Sequence, residues 1–391
     1  MRHRSEKQVK MARNLATIQI IEELNPIPGA DSILVASVLG WKVVVKKGDF
    51  EVGDKCVYCE IDSVLPETEK FEFLRDKKYR IKTIRLKGQI SQGICFQMSI
   101  LPPEYVLGRS RKLIQPLSVG TDVTDVLGIV KWEPAEYISS TKQKDKFIYP
   151  SWFPIFLRRR LKNFPLLARL ITKILPKQVK KQKIWPSYFP KTDETRVQVL
   201  GSYLKKHEGI ECNVTEKLDG SSMSVFKVNG KFGVCSRNLE LEDEDDSNWW
   251  QVVRKYNLNE ILPDNIALQG ELIGPGIQKN KYKLEEHDVY FFNGFDIKNR
   301  RYLSYDELTQ LLIELKLKSV PFISKISLNS DVEYYVKLST DKSKLNADAL
   351  REGIVIRPCV DIYDDVFTGK FQGNRISFKC VSPEFLLKYG E

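Results

Sequence analysis

The segment Thr215-Glu216-Lys217-Leu218-Asp219-Gly220-Ser221-Ser222 brings a lysine, acids, a glycine and hydroxyls into one short turn. A lysine amine becomes a nucleophile only after losing its proton, from an ordinary pKa of about 10.4. Nearby cations or lost hydration make that easier. Gly220 would allow a phosphate to approach the backbone closely. By itself the pattern K-x-D-G is too short to mean more than a charged turn. Three later segments change its weight. Gln269-Gly270-Glu271-Leu272-Ile273-Gly274 sets a carboxylate in a glycine-rich strand, where a ribose or a hydrated metal ion could approach. Tyr290-Phe291-Phe292-Asn293-Gly294-Phe295-Asp296-Ile297 offers aromatic rings suited to stacking a base. Arg351-Glu352-Gly353-Ile354-Val355-Ile356-Arg357-Pro358 supplies another carboxylate on an otherwise apolar strand. Each alone reads as core or surface; their order after Lys217 is the signal.

The elements that must hold these residues follow from periodicity. An apolar strand is predicted before Lys217 and another after it. From about Lys191 onward strands alternate with helices: strands at 223–228, 232–236, 267–272, 289–297, 353–357 and 376–381, helices at 247–256 and 304–315. The acidic run Glu240 to Asp246 reads as a solvated loop rather than a metal site. Residues 13 to about 130 read differently, as short strands with turns such as Lys47-Gly48 and Val52-Gly53-Asp54. Closely spaced strands with glycine turns predict a small OB-like barrel. The fold class is therefore α+β. Residues 1–140 form the barrel domain, 141–190 a basic insert or linker, and 191–391 a domain of packed antiparallel sheets with flanking helices.

The net charge of +11 lies almost wholly in the insert, which holds thirteen Lys and Arg against the single acid Asp145. Its apolar stretches, cut by Pro154, Pro165 and Pro176, predict two short basic amphipathic helices. Such helices suit an acidic membrane or a phosphate backbone, or simply dock on the protein with solvated charges. The chain shows neither a secretion signal nor an apolar run able to cross a bilayer, which predicts a cytoplasmic protein. Seven scattered cysteines are not a disulfide framework, and the lone pair Cys56 and Cys59 reads as buried thiols rather than zinc ligands.

The order of motifs resembles that of the covalent nucleotidyltransferases, a group of ATP-dependent ligases and capping enzymes. The nearer likeness is to RNA ligases whose OB domain precedes the adenylyltransferase domain, sometimes counted as the fifth RNA ligase family. It covers almost the whole chain, including Lys191 to Gln198. The resemblance implies that Lys217 is adenylated by ATP and that Glu216 contacts the adenine edge. It makes Asp219, Glu271 and Glu352 the acids that hold Mg2+ or Mn2+. Arg237 would contact the ribose and phosphate region, Phe292 or (the favoured choice) Phe295 would stack on adenine, and Arg196 would grip the outgoing phosphates. Lys379 would contact the α-phosphate and assist Lys217. One departure stands out: the family's last motif has two lysines one residue apart, and Ser377 stands where the first would be. Residues 375, 377 and 379 share a strand face, so Arg375 is expected to supply the missing charge. The chain ends 12 residues after Lys379, which favours a ligase over a capping guanylyltransferase with its C-terminal barrel. The implied function is sealing of 3′-hydroxyl and 5′-phosphate ends, at nicks with RNA on the 3′-hydroxyl side, by a monomer. DNA ligase, capping enzyme and a non-catalytic OB-fold nucleic-acid binder are the rivals.

Overall fold

The computed structural model describes residues 14–106, 117–132, 184–364 and 375–390. The two predicted basic helices lie outside them. In the N-terminal part, strands Ala16–Ile20, Lys55–Cys59 and Ile94–Gln97 form one antiparallel sheet, and Glu23–Ile27, Ala30–Val38 and Trp41–Lys46 another. Alternation sends Trp41, Val43 and Val45 inward, which is what a half-buried strand requires. Ile18, Val57, Tyr58 and Ile61 complete this core. Cys56 and Cys59 are fully buried within it, as their apolar setting predicted.

The C-terminal part stacks two sheets. The five-stranded sheet runs in the order Thr195–Arg196, Phe378–Val381, Gly353–Pro358, Glu211–Lys217, Phe322–Ser327. Its even-numbered side chains (Cys212, Val214, Ile354, Ile356, Phe378, Cys380) pack against Tyr203, Leu204 and Tyr335 from flanking helices. The seven-stranded sheet is ordered Glu240–Leu241, Lys231–Cys235, Ser221–Val228, Ile266–Ile273, Asp288–Asp296, Arg301–Tyr302, with Lys318–Ser319 paired to Asp288–Asp296. Met223, Val225, Leu268, Leu272 and Phe291 bury one of its faces under helices Asn248–Tyr256 and Tyr305–Glu314. The latter starts where Ser304 and Glu307 form a reciprocal capping box. Arg254 on the former helix pairs with Asp243 and Asp245, so the acidic run is partly tethered rather than wholly solvated. No described helix is long and apolar enough to cross a membrane.

The two parts share a core. Helix Pro383–Tyr389 follows strand Phe378–Val381 directly, and its Phe385 and Leu386 are buried among the barrel residues. Arg85 pairs with Glu384 at 2.5 Å, and the Gly40 N–H donates to the Gln198 carbonyl at 2.8 Å.

Candidate active site

Lys217 is the last residue of its strand in the five-stranded sheet, and Ser221 opens a strand of the seven-stranded one. The turn Leu218-Asp219-Gly220 thus carries the chain from one sheet to the other. A Cβ on Gly220 would lie 2.4 Å from the Leu272 carbonyl oxygen and 2.9 Å from Glu271 Cγ. The glycine is needed where the turn presses on the Glu271 strand. Gly220→Ala is therefore expected to cost about 1–3 kcal/mol of stability and to displace Lys217 from Glu271. A thermal melt unchanged from the native protein would refute this.

The Lys217 amine donates to both oxygens of Glu352, each at 2.6 Å. Burial alone would lower its pKa, but the carboxylates of Glu352, Glu271 and Asp219 outweigh burial and raise it. Glu271 shows the converse: burial, with Glu352 and Asp219 adding to it, pushes its carboxyl up to about 8 despite Lys217. Asp219 is buried, paired with Lys281, while its backbone N–H donates to the Tyr282 hydroxyl at 2.7 Å. Lys281 in turn lies 5.0 Å and 4.9 Å from the ring centres of Phe385 and Tyr389. The three acids suit a hard divalent cation in donor type. Lysines engage two of them, and among the described residues no group of three or more acid, cysteine or histidine side chains is arranged to hold a metal.

A second charged cluster lies on the odd-numbered face of the five-stranded sheet, where Lys379 is in register with Val355 and Val355 with Thr215. Lys379 reaches Asp193 at 3.2 Å, and Arg237 reaches the same carboxylate at 3.7 Å. Burial would raise the Asp193 pKa, but Lys379 and Arg237 hold it well below the usual carboxylate range. Next to it, Arg357 donates to Ser377 Oγ (2.8 Å), the Phe292 carbonyl (2.8 Å) and Glu194 (2.9 Å). So the cation beside Ser377 comes from the neighbouring strand. The expectation for Arg375 is overturned: it is buried against Asp361 (2.8 Å) and Asn293 (3.1 Å), above the Tyr302 ring. Arg196 is likewise turned elsewhere, to Asp62 of the barrel at 3.5 Å and towards the Trp41 ring. Asp193, Glu194 and Arg357 were not singled out in the sequence. Arg357 shares a strand face with Gly353 and Val355, a period-of-two signal that could have flagged it.

Glu216 is buried, with Oε2 accepting from the Lys344 N–H at 2.8 Å and Oε1 lacking a hydrogen-bond partner. Burial pushes its carboxyl up, opposed by Ser343 and Lys344. Leu345 joins an apolar cluster with Leu218, Ile273, Val320 and Phe292. Phe292 therefore borders the Lys217 turn. Phe295 stands opposite Ala267, four residues along the strand from Glu271, edge-on to Tyr302 at 5.2 Å. Of the two candidate rings, Phe292 is the one beside the Lys217 turn.

Family comparisons agree with this architecture. Residues 15–98 match an OB-fold domain family and residues 210–381 match the RNA ligase family. A point variant of Naegleria gruberi RNA ligase solved with ATP and Mn is 32% identical, with a TM-score of 0.73, covering 97% of this chain and 100% of that one. The same organism's RNA ligase with PPi is 31% identical, with a TM-score of 0.72 and coverages of 96% and 98%. Another variant, with AMP and Mn, is 32% identical, with a TM-score of 0.72 and the same coverages. No curated protein sequence matches.

Proposed function

The chain belongs to the RNA ligase family, and from that premise we propose that it is an ATP-dependent ligase that carries AMP on Lys217 and seals nicks with RNA on the 3′-hydroxyl side. The observation that carries this reading is the Lys217 amine, held at a sheet-to-sheet turn within the field of three carboxylates and beside an apolar cluster that can take a base. Lys217 Nζ attacks the α-phosphorus of ATP as the bond to pyrophosphate breaks. A 5′-phosphate then takes AMP from the lysine, and a 3′-hydroxyl attacks the activated end, releasing AMP. Each step spreads negative charge over phosphate oxygens, so alignment and cationic stabilisation dominate.

Glu216 Oε1, buried and unmatched, suits the exocyclic amine of adenine, and Phe292 suits its face. Lys379 and Arg237, now gathered on Asp193, would turn to the α-phosphate and ribose. Asp219, Glu271 and Glu352 would hold Mg2+ or Mn2+, which stabilises developing phosphate charge when bound. Arg196, which reaches Asp62 of the barrel at 3.5 Å, would turn to the outgoing phosphates of ATP. The protein would work as a cytoplasmic monomer, with the basic segment 141–190 adding salt-sensitive RNA affinity.

Incubation with α-labelled ATP and magnesium should yield a labelled protein band, whereas α-labelled GTP should not. A band with GTP alone would favour capping, and no band with either would favour a binder. Nicked duplexes with RNA or DNA on the 3′-hydroxyl side then separate RNA from DNA ligase.

A further inference from the structure

Away from Lys217, on the same face of the seven-stranded sheet as Gln269 and Glu271, lies a cavity of about 270 Å³. Its walls include Tyr188, Phe189, Phe295, Arg300, Tyr302 and Tyr363. That volume falls just below the roughly 300 Å³ at which pockets for drug-sized ligands begin, so it suits one ring system rather than a whole nucleotide.

Three observations say what the ring system is. Tyr188 and Tyr363 leave about half their surface exposed (47% and 52%), so both rings offer area to a ligand. Tyr302 is 5% exposed, and its buried hydroxyl has no hydrogen-bond partner. A buried orphan of this kind wants a polar edge from outside the protein. Arg300 adds an exposed cation, held in the left-handed region at φ 52°, while the nearby Asp361 is taken up by Arg375. Aromatic faces, one hydrogen-bonding hydroxyl and a cation at the rim are the chemistry that takes a nucleobase with its phosphate.

The cavity wall is tied through the backbone to the segment beside the reaction site. Its wall residue Pro190 accepts a hydrogen bond from Gln269 at 2.8 Å, two residues from Glu271. Three residues further on, Asp193 meets Lys379. We propose that this cavity binds an unpaired nucleobase of the RNA substrate, stacked on Tyr188 or Tyr363 and hydrogen-bonded to Tyr302, so that the strand end is led towards Lys217. The proposal rests on the ligase reading and places one base of the nicked substrate, beside the break, out of its pair.

The test is equilibrium binding of a fluorescent single-stranded RNA oligonucleotide and of a blunt RNA duplex, without ATP, to the full chain. Tyr188→Ala/Tyr363→Ala should weaken single-strand binding about tenfold, with duplex binding, the salt slope and AMP attachment as in the native protein. Tyr302→Phe, which removes only the hydroxyl and cannot unfold the site by loss of bulk, should show a smaller loss in the same direction. Unchanged single-strand affinity in both variants overturns the proposal. So does an equal loss for the duplex, which would make the surface a backbone contact, or a parallel loss of AMP attachment, which would make it part of the ATP site. Because binding is read without ATP, a native protein that takes no label sinks the ligase reading while the RNA result stands by itself.

Discussion

Lys217→Ala is expected to carry no covalent AMP after incubation with α-labelled ATP, at any enzyme concentration, while its fold survives. The effect is absolute because the residue forms the bond. The lysines nearest in role are engaged elsewhere, Lys281 with Asp219 and Lys379 with Asp193. Lys217→Arg should fail equally, since a guanidinium does not deprotonate in proteins. The pKa direction adds a second observable. Three carboxylates raise the Lys217 pKa, so the amine is charged throughout the neutral range. Its neutral fraction then grows tenfold per pH unit below that pKa. Mg2+ or Mn2+ on those same three acids would offset their charge, so adding the metal should bring the titration of the Lys217 amine to lower pH than in the metal-free protein. Glu352→Gln removes the largest of the three contributions and should shift the metal-free titration to lower pH. A metal-free Lys217 amine titrating below the ordinary lysine range would contradict the charge balance; a labelled Lys217→Ala band would rule out Lys217 as the nucleophile. The ion pair itself adds nothing pH-dependent to stability near neutrality, because a raised lysine pKa withdraws its contribution only above the ordinary lysine range.

The second large effect is at Lys379. Removing one preorganised donor from a developing phosphate charge costs about 10²–10³ in rate in comparable sites. Lys379→Ala should accordingly slow AMP attachment about a hundredfold, with Lys217 still labelled at long times. Asp193 would lose its nearer cation and keep Arg237 at 3.7 Å, so the variant retains a charge partner there and should fold. Attachment at the native rate would show that Lys379 serves Asp193 and nothing more.

The reactive core of the site was legible because its chemistry is local. Lys217, Asp219 and Gly220 are adjacent, and Glu271 and Glu352 sit in segments whose strand character is plain from alternation; strands Ile266–Ile273 and Gly353–Pro358 lie within a residue or two of their predicted bounds. The second charged cluster was not legible. Arg357 meets Glu194 across 163 positions and Ser377 across 20, contacts fixed by the order of strands rather than by any one segment. A one-strand argument put Arg375 on the face of Lys379. The regular strand begins only at Phe378, so the alternation does not extend back to Arg375, which caps Tyr302 instead. Gly220 is legible as a point of close approach, but no local pattern tells that the Leu272 carbonyl presses on it. Phe292 and Phe295 differ because the pairing of their strand slips between Gln269 and Gly270, a shift invisible in composition.

Helix Pro383–Tyr389 binds these parts into one mechanical unit. On one side Phe385 and Leu386 plug the barrel; on the other, Phe385 and Tyr389 roof the Lys281–Asp219 pair behind the nucleophile. Cutting the chain between barrel and ligase domain would therefore strip two greasy side chains of their cover and unseat the lid over Asp219 at once. The halves of this enzyme should resist separate expression, and a loosened barrel should be felt first as a sluggish lysine.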